Sequence, residues 1–357
     1  MWKYRDIFLL GFAVAAGLTP FLRVLAFRFG VLDHPKAHGI HAHPVPRIGG
    51  PALCAAFLAA ALYRMDLSYM LKGVILSSSM VFAVGLMDDL YRLRASLKLV
   101  IQIAACAIMM FGYGVMIRVF NNLWLDAFFT ALGVIGITNA VNFLDNMDGL
   151  ASGLVAIASF AIFTIGYSTR QVWLCYLSAA LASACLGFLV HNLRPAHVFM
   201  GDCGSTFLGF TLASLCVMTE WSSDKWVTVA APVLILGVPI LDMVLITVLR
   251  IKENKVKTFR QWLDYTGKDH LSHRVMRLGL GKRGAVIALW ALQGFFSLTA
   301  IWVTKQGALA GVLALLGYGF SVFLSLVFFR RKRRVLLHLK GRSPRVKSKP
   351  APARVSL

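Results

Sequence analysis

Four clusters of polar residues interrupt an otherwise apolar sequence, and each contains a carboxylate. In the first cluster, Asp88 and Asp89 are adjacent at the end of one hydrophobic segment, and Lys98 begins the next. Two neighbouring carboxylates repel each other unless a cation or a proton lies between them. The pair therefore predicts a bound cation or proton, with a solvated helix end paired to Arg92 and Arg94 as the alternative.

The second cluster lies at the end of another hydrophobic segment. Asn139, Asn142 and Asp145 recur at spacings of i, i+3 and i+6, which places them along one face of a helix. Asp148 and Gly149 follow, and we expect this pair to turn the chain and to cap the next helix at its N-terminus. Because a helix N-terminus favours anions, the cluster predicts a phosphate held nearby.

The third cluster surrounds Asp202, which lies between two glycines that allow a ligand to approach the backbone closely. A carboxylate is a hard oxygen ligand that suits Mg²⁺, and a plain turn is the alternative. We expect Ser205 to cap the helix that follows. The fourth cluster has His270 and His273 three residues apart, with Arg274 beside them. No further Cys or His follows at zinc-site spacing, so hydrogen bonds from these side chains to a pyrophosphate are the favoured interpretation.

A membrane is the solvent that the composition predicts. The 357-residue chain is 58% hydrophobic and 15% charged, with a mean hydropathy of +0.72, whereas soluble domains have about 25% charged residues. A bilayer-spanning helix needs about 20 apolar residues. Eleven segments qualify, at 7–29, 51–67, 70–87, 97–117, 125–143, 150–168, 171–190, 205–221, 226–249, 284–304 and 307–329. The sequence thus predicts an all-α polytopic membrane protein with about 11 transmembrane helices, formed by a single domain over residues 1–329.

The net charge of +22 is concentrated in two blocks that flank hydrophobic spans, one between Arg250 and Arg283 and one after Phe329. Cytoplasmic positive charge and anionic lipid head groups explain both blocks without nucleic acid. An N-terminus outside the cell puts most Lys and Arg residues in the cytoplasm, together with the carboxylate clusters and the C-terminus. We expect the basic segment 330–357 to be a disordered cytoplasmic tail.

A transporter and a membrane prenyltransferase are the two alternatives to an enzyme that binds phosphates. A transporter would place ionisable groups near the bilayer midplane, and only Asp242 lies well inside a span, where we expect it to pair with Arg250. A membrane prenyltransferase would repeat a DDxxD-like motif, but the fifth position counted from Asp88 is Arg92. Both alternatives fit the sequence less well than a transferase acting on phosphates.

These clusters together resemble the polyprenyl-phosphate N-acetylhexosamine-1-phosphate transferases, which include the enzymes that start O-antigen, enterobacterial common antigen and teichoic acid assembly. Five motifs occur in the family's order: HxxPxPRxGG from His41 to Gly50, GLMDD followed by KLxxQ, NAVNFLDNMDGL, FMGDCGSTFLG and DHLSHR. The resemblance implies transfer of N-acetylglucosamine 1-phosphate from a UDP-sugar to undecaprenyl phosphate in a bacterial inner membrane, with release of UMP. Another UDP-amino sugar (N-acetylgalactosamine, a deoxy-amino sugar or N-acetylmuramoyl-pentapeptide) is the alternative donor, and a homodimer is left open.

The resemblance also implies roles for individual residues. Asn142 and Asp202 match positions associated with Mg²⁺, with Mn²⁺ as the alternative, and Asp88, Asp89 and Asp202 are the implied catalytic residues. The implied substrate-binding residues are His41 and Arg47 in the first motif, Lys98 and Asn139, the nucleotide-loop residues Asp145, Asp148 and Phe199, and His270, His273 and Arg274 in the last motif.

Several positions depart from the family's usual pattern. Gly39 stands where a basic residue often precedes the first motif, so a phosphate contact there would come from Arg47. Asn146 replaces a frequent glycine, and Ser272 replaces a frequent histidine. The triple-histidine loop of the pentapeptide-transferring branch is missing from DHLSHR, which argues for a simple UDP-N-acetylhexosamine donor.

Overall fold

The apolar segments of the sequence form long helices, and a short hairpin precedes the second of them. The computed structural model describes residues 2–33, 44–63, 68–258, 261–262, 265, 267 and 269–341. His41 lies outside the described residues. In the first half, the elements are α1 (Trp2–Phe29), β1 (Leu32–Asp33), β2 (Val45–Pro46), α2 (Gly50–Leu62), α3 (Tyr69–Tyr91), α4 (Ala95–Ala107, continued by a π-helical turn over Ile108–Gly112) and α5 (Leu123–Leu144).

All the regular elements of the second half are helices, among the residues that the structure describes. Its elements are α6 (Leu150–Ser168), α7 (Val172–Asn192), α8 (Gly201–Met218), α9 (Lys225–Ile235), α10 (Gly237–Lys252), α11 (Leu271–Val275, continued by a π-helical turn over Met276–Leu280), α12 (Gly281–Gln306) and α13 (Ala308–Gly341). The two strands pair antiparallel, with Leu32 opposite Pro46. The all-α polytopic prediction is therefore confirmed.

Nine helical segments of the described chain are long and apolar enough to cross a membrane, or ten if α9 and α10, which are bent by 77°, form one span. The predicted span 51–67 is the 13-residue helix α2, which is only about 20 Å long. The chain still crosses the bundle here. Gly50 donates to Met200 at the start of α8, whereas Tyr69, which opens α3, bonds Gly112 at the far end of α4.

The centre of the bundle is α8, whose side chains are buried along most of the helix. Small residues allow its close packing: a Cβ added at Gly204 would lie 2.9 Å from the Cα atom of Gly50 in α2. The buried hydroxyls of Thr206 and Ser214 donate to carbonyls four residues earlier in the same helix. The outermost helix is α13, which exposes large apolar side chains such as Leu309 and Leu316 to the lipid side.

The last helix continues beyond its apolar part to Gly341. Its final turns therefore lie in the segment 330–357 that we predict to be a basic tail. Residues 342–357 lie outside the described residues, so the disorder of the tail and the boundary at residue 329 stay predictions.

The loops that carry the polar clusters meet at one end of the bundle. Phe199 donates from its backbone to Pro46, and Ala196 donates to the Asp148 carboxylate. Lys98, at the start of α4, contacts Asp202 at the start of α8. The acidic turns are thus at a common membrane face, as the charge pattern predicts. Which leaflet this face contacts stays a prediction.

Candidate functional site

Three carboxylates and two cations form an ion-pair cluster at the bundle end where these loops meet. The Nζ atom of Lys98 lies 2.7 Å from Oδ2 of Asp88 and 2.8 Å from Oδ2 of Asp202. The Arg47 guanidinium contacts Oδ1 of Asp202, and its Nε lies 3.3 Å from Oδ1 of Asp89. Residues that are up to 155 positions apart in the sequence therefore share one cluster of alternating charge.

Asp89 caps the N-terminus of α8 from the neighbouring helix α3. Its two carboxylate oxygens accept the backbone N–H groups of Asp202 and Cys203, at 2.9 and 3.0 Å. These donors have no intrahelical partner, and the helix dipole favours negative charge there. The prediction that Ser205 caps α8 is wrong, because the helix begins at Gly201 and places Ser205 in its second turn. Only 2% of the Asp89 side chain is exposed.

Substituting Gly201 by Ala tests how much the stability of the protein depends on the contact between Asp89 and the N-terminus of α8. Gly201 has a φ of +74°, and an added Cβ would lie 2.5 Å from Oδ2 of Asp89. We expect Gly201→Ala to lower the free energy of unfolding by roughly 2–3 kcal/mol, because it combines backbone strain with displacement of a buried carboxylate. Thermal unfolding in detergent measures the change. Gly114→Ala is the control, since Gly114 has a φ of +72° in open space; equal losses in both variants would contradict the role of the Asp89 contact.

The two asparagines of α5 have different partners. Asn142 accepts from the Ser205 hydroxyl at 2.7 Å, and the same hydroxyl lies 3.4 Å from the Asp202 carbonyl. Asn142 is thus joined to the first turns of α8. Asn139, about one turn earlier, donates to Gln102 at 2.8 Å and holds α4 against α5. Both asparagines lie on α5 as predicted, but only Asn142, which is nearer the C-terminal end of α5, contacts the first turns of α8.

Asp145 follows the end of α5 and lies in the electrostatic field of the cluster. Burial and the neighbouring carboxylates of Asp202, Asp89 and Asp148 raise the pKa of Asp145 well above its ordinary value, against the lowering effect of Arg47. Four acidic side chains thus act on one another at this end of the bundle. Such a concentration of carboxylates is a place where added positive charge is strongly favoured.

The turn after Asp145 leads into α6, and the side chain that caps this helix differs from the expected one. Gly149 occupies the N-cap position of α6 with a φ of +75°, and its N–H donates to the Asn192 side chain at 3.0 Å. Asp148 instead accepts from Ala196, at 3.4 Å, in the loop before α8. Gly149 thus takes the N-cap position, as expected for the pair, but Asp148 adds no capping bond, because Asn192 of α7 supplies the side-chain oxygen instead.

Phe199 positions Arg47 through the backbone. Phe199 donates to Pro46 at 2.8 Å, Gly49 donates back to Phe199 at 2.9 Å, and Arg47 and Phe199 form a parallel β-bridge. The first motif and the loop before α8 are thereby held together, with the Phe199 side chain half-buried. The two motifs that flank the ion-pair cluster form one rigid backbone unit.

The histidine loop is fixed to α10 by two buried acid–base contacts. Asp242 lies 2.8 Å from Nδ1 of His270 and accepts the N–H of Leu271 at 2.5 Å. Arg250 forms a two-pronged ion pair with Asp269, at 2.8 and 3.0 Å. The predicted pairing of Asp242 with Arg250 is wrong, because each side chain takes a partner from the loop. Asp242 therefore belongs to the site end of the bundle, which removes the main support for a transporter.

The Asp269 pair gives a pH prediction. Burial disfavours the charged form, but Arg250, Lys255 and His270 outweigh this effect and hold the pKa of Asp269 at about 2. Since Asp in an unfolded chain has a pKa of about 3.9, the pair stabilises the fold above that value and loses its effect as the pH falls from about 4 to about 2. We expect a loss of roughly 2 kcal/mol over this window.

Thermal unfolding in detergent across the acid range measures this loss. The Asp269→Asn variant should be less stable near neutrality and should show a flatter profile below about pH 4. An equally steep acid loss in the variant would show that another carboxylate is responsible.

The other residues of the histidine loop also have defined contacts. Arg274 donates to the Asp269 carbonyl at 2.6 Å, and its guanidinium lies 5.7 Å from the centre of the Phe329 ring. His273 is buried. Ser272 donates to Asn146 at 2.7 Å.

Several of these contacts were missed from the sequence. Asn192, Asn146 and Ser272 were not predicted as site residues, since each has a partner 43 or 126 positions away. A signal was available for two of them, because Asn146 and Ser272 both depart from the family's usual residues. Asn192 carries no comparable mark in its apolar helix.

The donor atoms near Asp202 fit Mg²⁺. Across the described residues, no group of three or more His, Cys, Asp or Glu side chains is arranged as a metal site. Mg²⁺ is, however, typically held by one or two carboxylates, with waters and substrate phosphates completing its six oxygen ligands. Two such hard oxygen donors lie at the start of α8: the Asp202 carboxylate, and the Asn142 amide oxygen, which accepts from the Ser205 hydroxyl next to the Asp202 backbone carbonyl.

Comparisons with known proteins identify relatives of this chain. The sequence profile of the family described as glycosyl transferase family 4 matches residues 71–220. The chain is 31% identical over 326 residues to a probable undecaprenyl-phosphate N-acetylglucosaminyl 1-phosphate transferase of Bacillus subtilis, covering 88% of this chain and 86% of the relative. A decaprenyl-phosphate N-acetylglucosaminephosphotransferase of Mycolicibacterium smegmatis is 30% identical, with 83% and 82% covered. A phospho-N-acetylmuramoyl-pentapeptide-transferase of Caldicellulosiruptor bescii is also 30% identical, with 82% and 94% covered.

Proposed function

We propose that this chain transfers N-acetylglucosamine 1-phosphate from UDP-N-acetylglucosamine to undecaprenyl phosphate. The premise is that the chain belongs to the polyprenyl-phosphate hexosamine-1-phosphate transferases of glycosyl transferase family 4. UMP is the second product. The observation that carries the proposal is the cluster in which Lys98 and Arg47 share the Asp202 carboxylate. It is a preformed set of charges at a membrane face, where a lipid phosphate and a water-soluble anion can meet.

Two cations in this cluster can neutralise two anionic substrates. Lys98 opens a membrane-spanning helix, and its ammonium group lies between Asp88 and Asp202. An arriving lipid phosphate can exchange for one of these carboxylates as the partner of Lys98. Phosphoryl transfer depends mainly on positioning and on neutralising charge, so a fixed lysine at the lipid face supplies what the acceptor requires.

The reaction follows from the chemistry of the substrates. An oxygen of the lipid phosphate attacks the phosphorus next to the sugar, the bond from that phosphorus to UMP breaks, and the anomeric bond of the sugar stays intact. Asp88, whose Oδ1 accepts the Leu93 N–H at 2.6 Å, is fixed in position to keep the lipid phosphate deprotonated. Arg47 is placed beside the same cluster to receive negative charge on the donor pyrophosphate.

Mg²⁺, with Mn²⁺ as the alternative, is proposed to be held by Asp202 and Asn142. When bound, the ion would neutralise the donor pyrophosphate. The nucleotide would contact the loops that carry Asp145, Asp148 and Phe199. The sugar and pyrophosphate would contact His270, His273 and Arg274, on the loop that α10 fixes in place.

The location proposed is a bacterial inner membrane, with the N-terminus in the periplasm and the C-terminus in the cytoplasm. The basic segments between Arg250 and Arg283 and after Phe329 support this orientation. It puts the ion-pair cluster on the cytoplasmic side, where a UDP-sugar is available. The product would start a lipid-linked envelope glycan such as an O-antigen.

The experiment uses purified enzyme, undecaprenyl phosphate and UDP-N-acetylglucosamine with ³²P in the phosphate next to the sugar. We expect the label to move into the organic phase with the lipid, and unlabelled UMP to appear. Label that stays in UDP would indicate sugar transfer without phosphate and would overturn the proposal. Chelation by EDTA should stop the reaction and added Mg²⁺ should restore it. UDP-N-acetylmuramoyl-pentapeptide, offered as the alternative donor, should not be used.

A further inference from the structure

One hydrogen bond joins the two loops to which the proposed function assigns the donor. The Ser272 hydroxyl, fully buried at the start of α11, donates to the Asn146 side chain at 2.7 Å. The Asn146 amide nitrogen donates in turn to the Phe143 carbonyl at 2.6 Å, at the end of α5. Asn146 thus spans from the last turn of α5 to the histidine loop.

Further contacts hold the residues on both sides of this bond. On the histidine side, Asp242 binds His270 and Leu271. On the other side, the rings of Phe143 and His270 lie 5.6 Å apart, so a second contact joins the same two elements. Because both segments are held by other contacts as well, this hydrogen bond can define the distance between the histidine loop and the turn that carries Asn146.

The pair also depends on both side chains at once. A glycine at position 146 has neither the oxygen that Ser272 uses nor the amide that binds Phe143. A residue without a short hydroxyl at position 272 could not reach Asn146 in the same way.

We propose that Ser272 and Asn146 form a positioning pair that fixes the distance between the nucleotide loop and the histidine loop, and thereby sets the affinity for the UDP-sugar. The inference rests on the proposed function of the site. Neither side chain is assigned a contact with the reacting phosphorus. Loss of the pair changes donor binding and leaves the acceptor side, at Lys98 and Asp88, unchanged.

The test is a double-mutant cycle of Ser272→Ala and Asn146→Ala, with steady-state kinetics for both substrates and calorimetric measurement of UDP-N-acetylglucosamine binding. We expect Ser272→Ala to raise the donor KM and Kd about five- to tenfold, the effect of losing one buried hydrogen bond. The KM for undecaprenyl phosphate and kcat should stay within about twofold of the original values. In the Asn146→Ala background, Ser272→Ala should add no further effect, because the bond is already lost.

Ser214→Ala is the matched control. Its hydroxyl is also fully buried, but its partners are the Phe210 carbonyl within α8 and the Met109 sulfur, neither of which belongs to the nucleotide or histidine loop. The kinetics of this variant should therefore equal those of the original protein. Unchanged donor binding in Ser272→Ala, a parallel loss in every kinetic constant, or multiplying effects of the two substitutions would overturn the pair. If the unmodified protein transferred no labelled phosphate at all, the proposed function would fail first, and the inference with it.

Discussion

Replacing Asp202 by Asn is expected to reduce turnover by about 10³-fold or more while the protein still folds and inserts. Asp202 has one carboxylate oxygen toward Arg47 and the other toward Lys98. An amide keeps the shape but removes the charge that orders both cations, and it is a weaker ligand for the proposed Mg²⁺. The charges that should receive the two substrates are then no longer held in place.

Turnover is measured by the transfer of labelled phosphate to lipid, and folding by elution and thermal unfolding in detergent. Asp224→Asn is the control, because Asp224 caps α9 by accepting from Trp226 and Val227, and Asn caps helices equally well. That variant should be as active as the original. Retained Mg²⁺-dependent activity in Asp202→Asn would remove the metal assignment.

Replacing Asp88 by Asn should lower kcat about 10²- to 10³-fold near neutral pH. Oδ1 of Asp88 accepts the Leu93 N–H, and Oδ2 lies 2.7 Å from Lys98. An Asn side chain can keep the first contact but loses the ion pair and the capacity to accept a proton. The loss should therefore fall on the deprotonation of the lipid phosphate and on the orientation of Lys98.

The measurement is the rate across a pH series, because hydroxide deprotonates the lipid phosphate without help from the protein. A near-normal rate of Asp88→Asn at high pH would argue against an essential proton acceptor and would leave only the orientation of Lys98. The control is Asp126→Asn at the opposite end of the bundle. Asp126 is buried and accepts from Val119 and Phe120, so this variant tests loss of a buried carboxylate away from the site.

The errors of the sequence interpretation share a physical origin. Asp242 and Arg250 lie in the same predicted span and were expected to pair, but Asp269 and His270 of the loop are their partners instead. Ser205 was expected to cap α8, a role that Asp89 takes from another helix. Residue spacing predicts partners within the same segment. In the folded bundle, a buried charged side chain instead pairs with groups from other elements that pack beside it.

What the sequence alone determined is the solvent of the protein and the chemistry of its polar residues. Long apolar runs must become membrane helices, because an unsatisfied backbone is too costly in lipid. Carboxylates at the ends of those runs, such as Asp88, Asp145 and Asp202, are also costly near lipid, and a neighbouring cation lowers this cost. Both conclusions depend only on residue type and on position along the chain.

Only the tertiary structure decided which charges meet. The shared contact of Lys98 and Arg47 with Asp202 and the bond from Ser272 to Asn146 join residues more than 100 positions apart. Their distances depend on how closely the small residues of α8 allow the surrounding helices to pack. That packing is a property of all the helices together, because in lipid the association of helices depends on close fit and on shared hydrogen bonds.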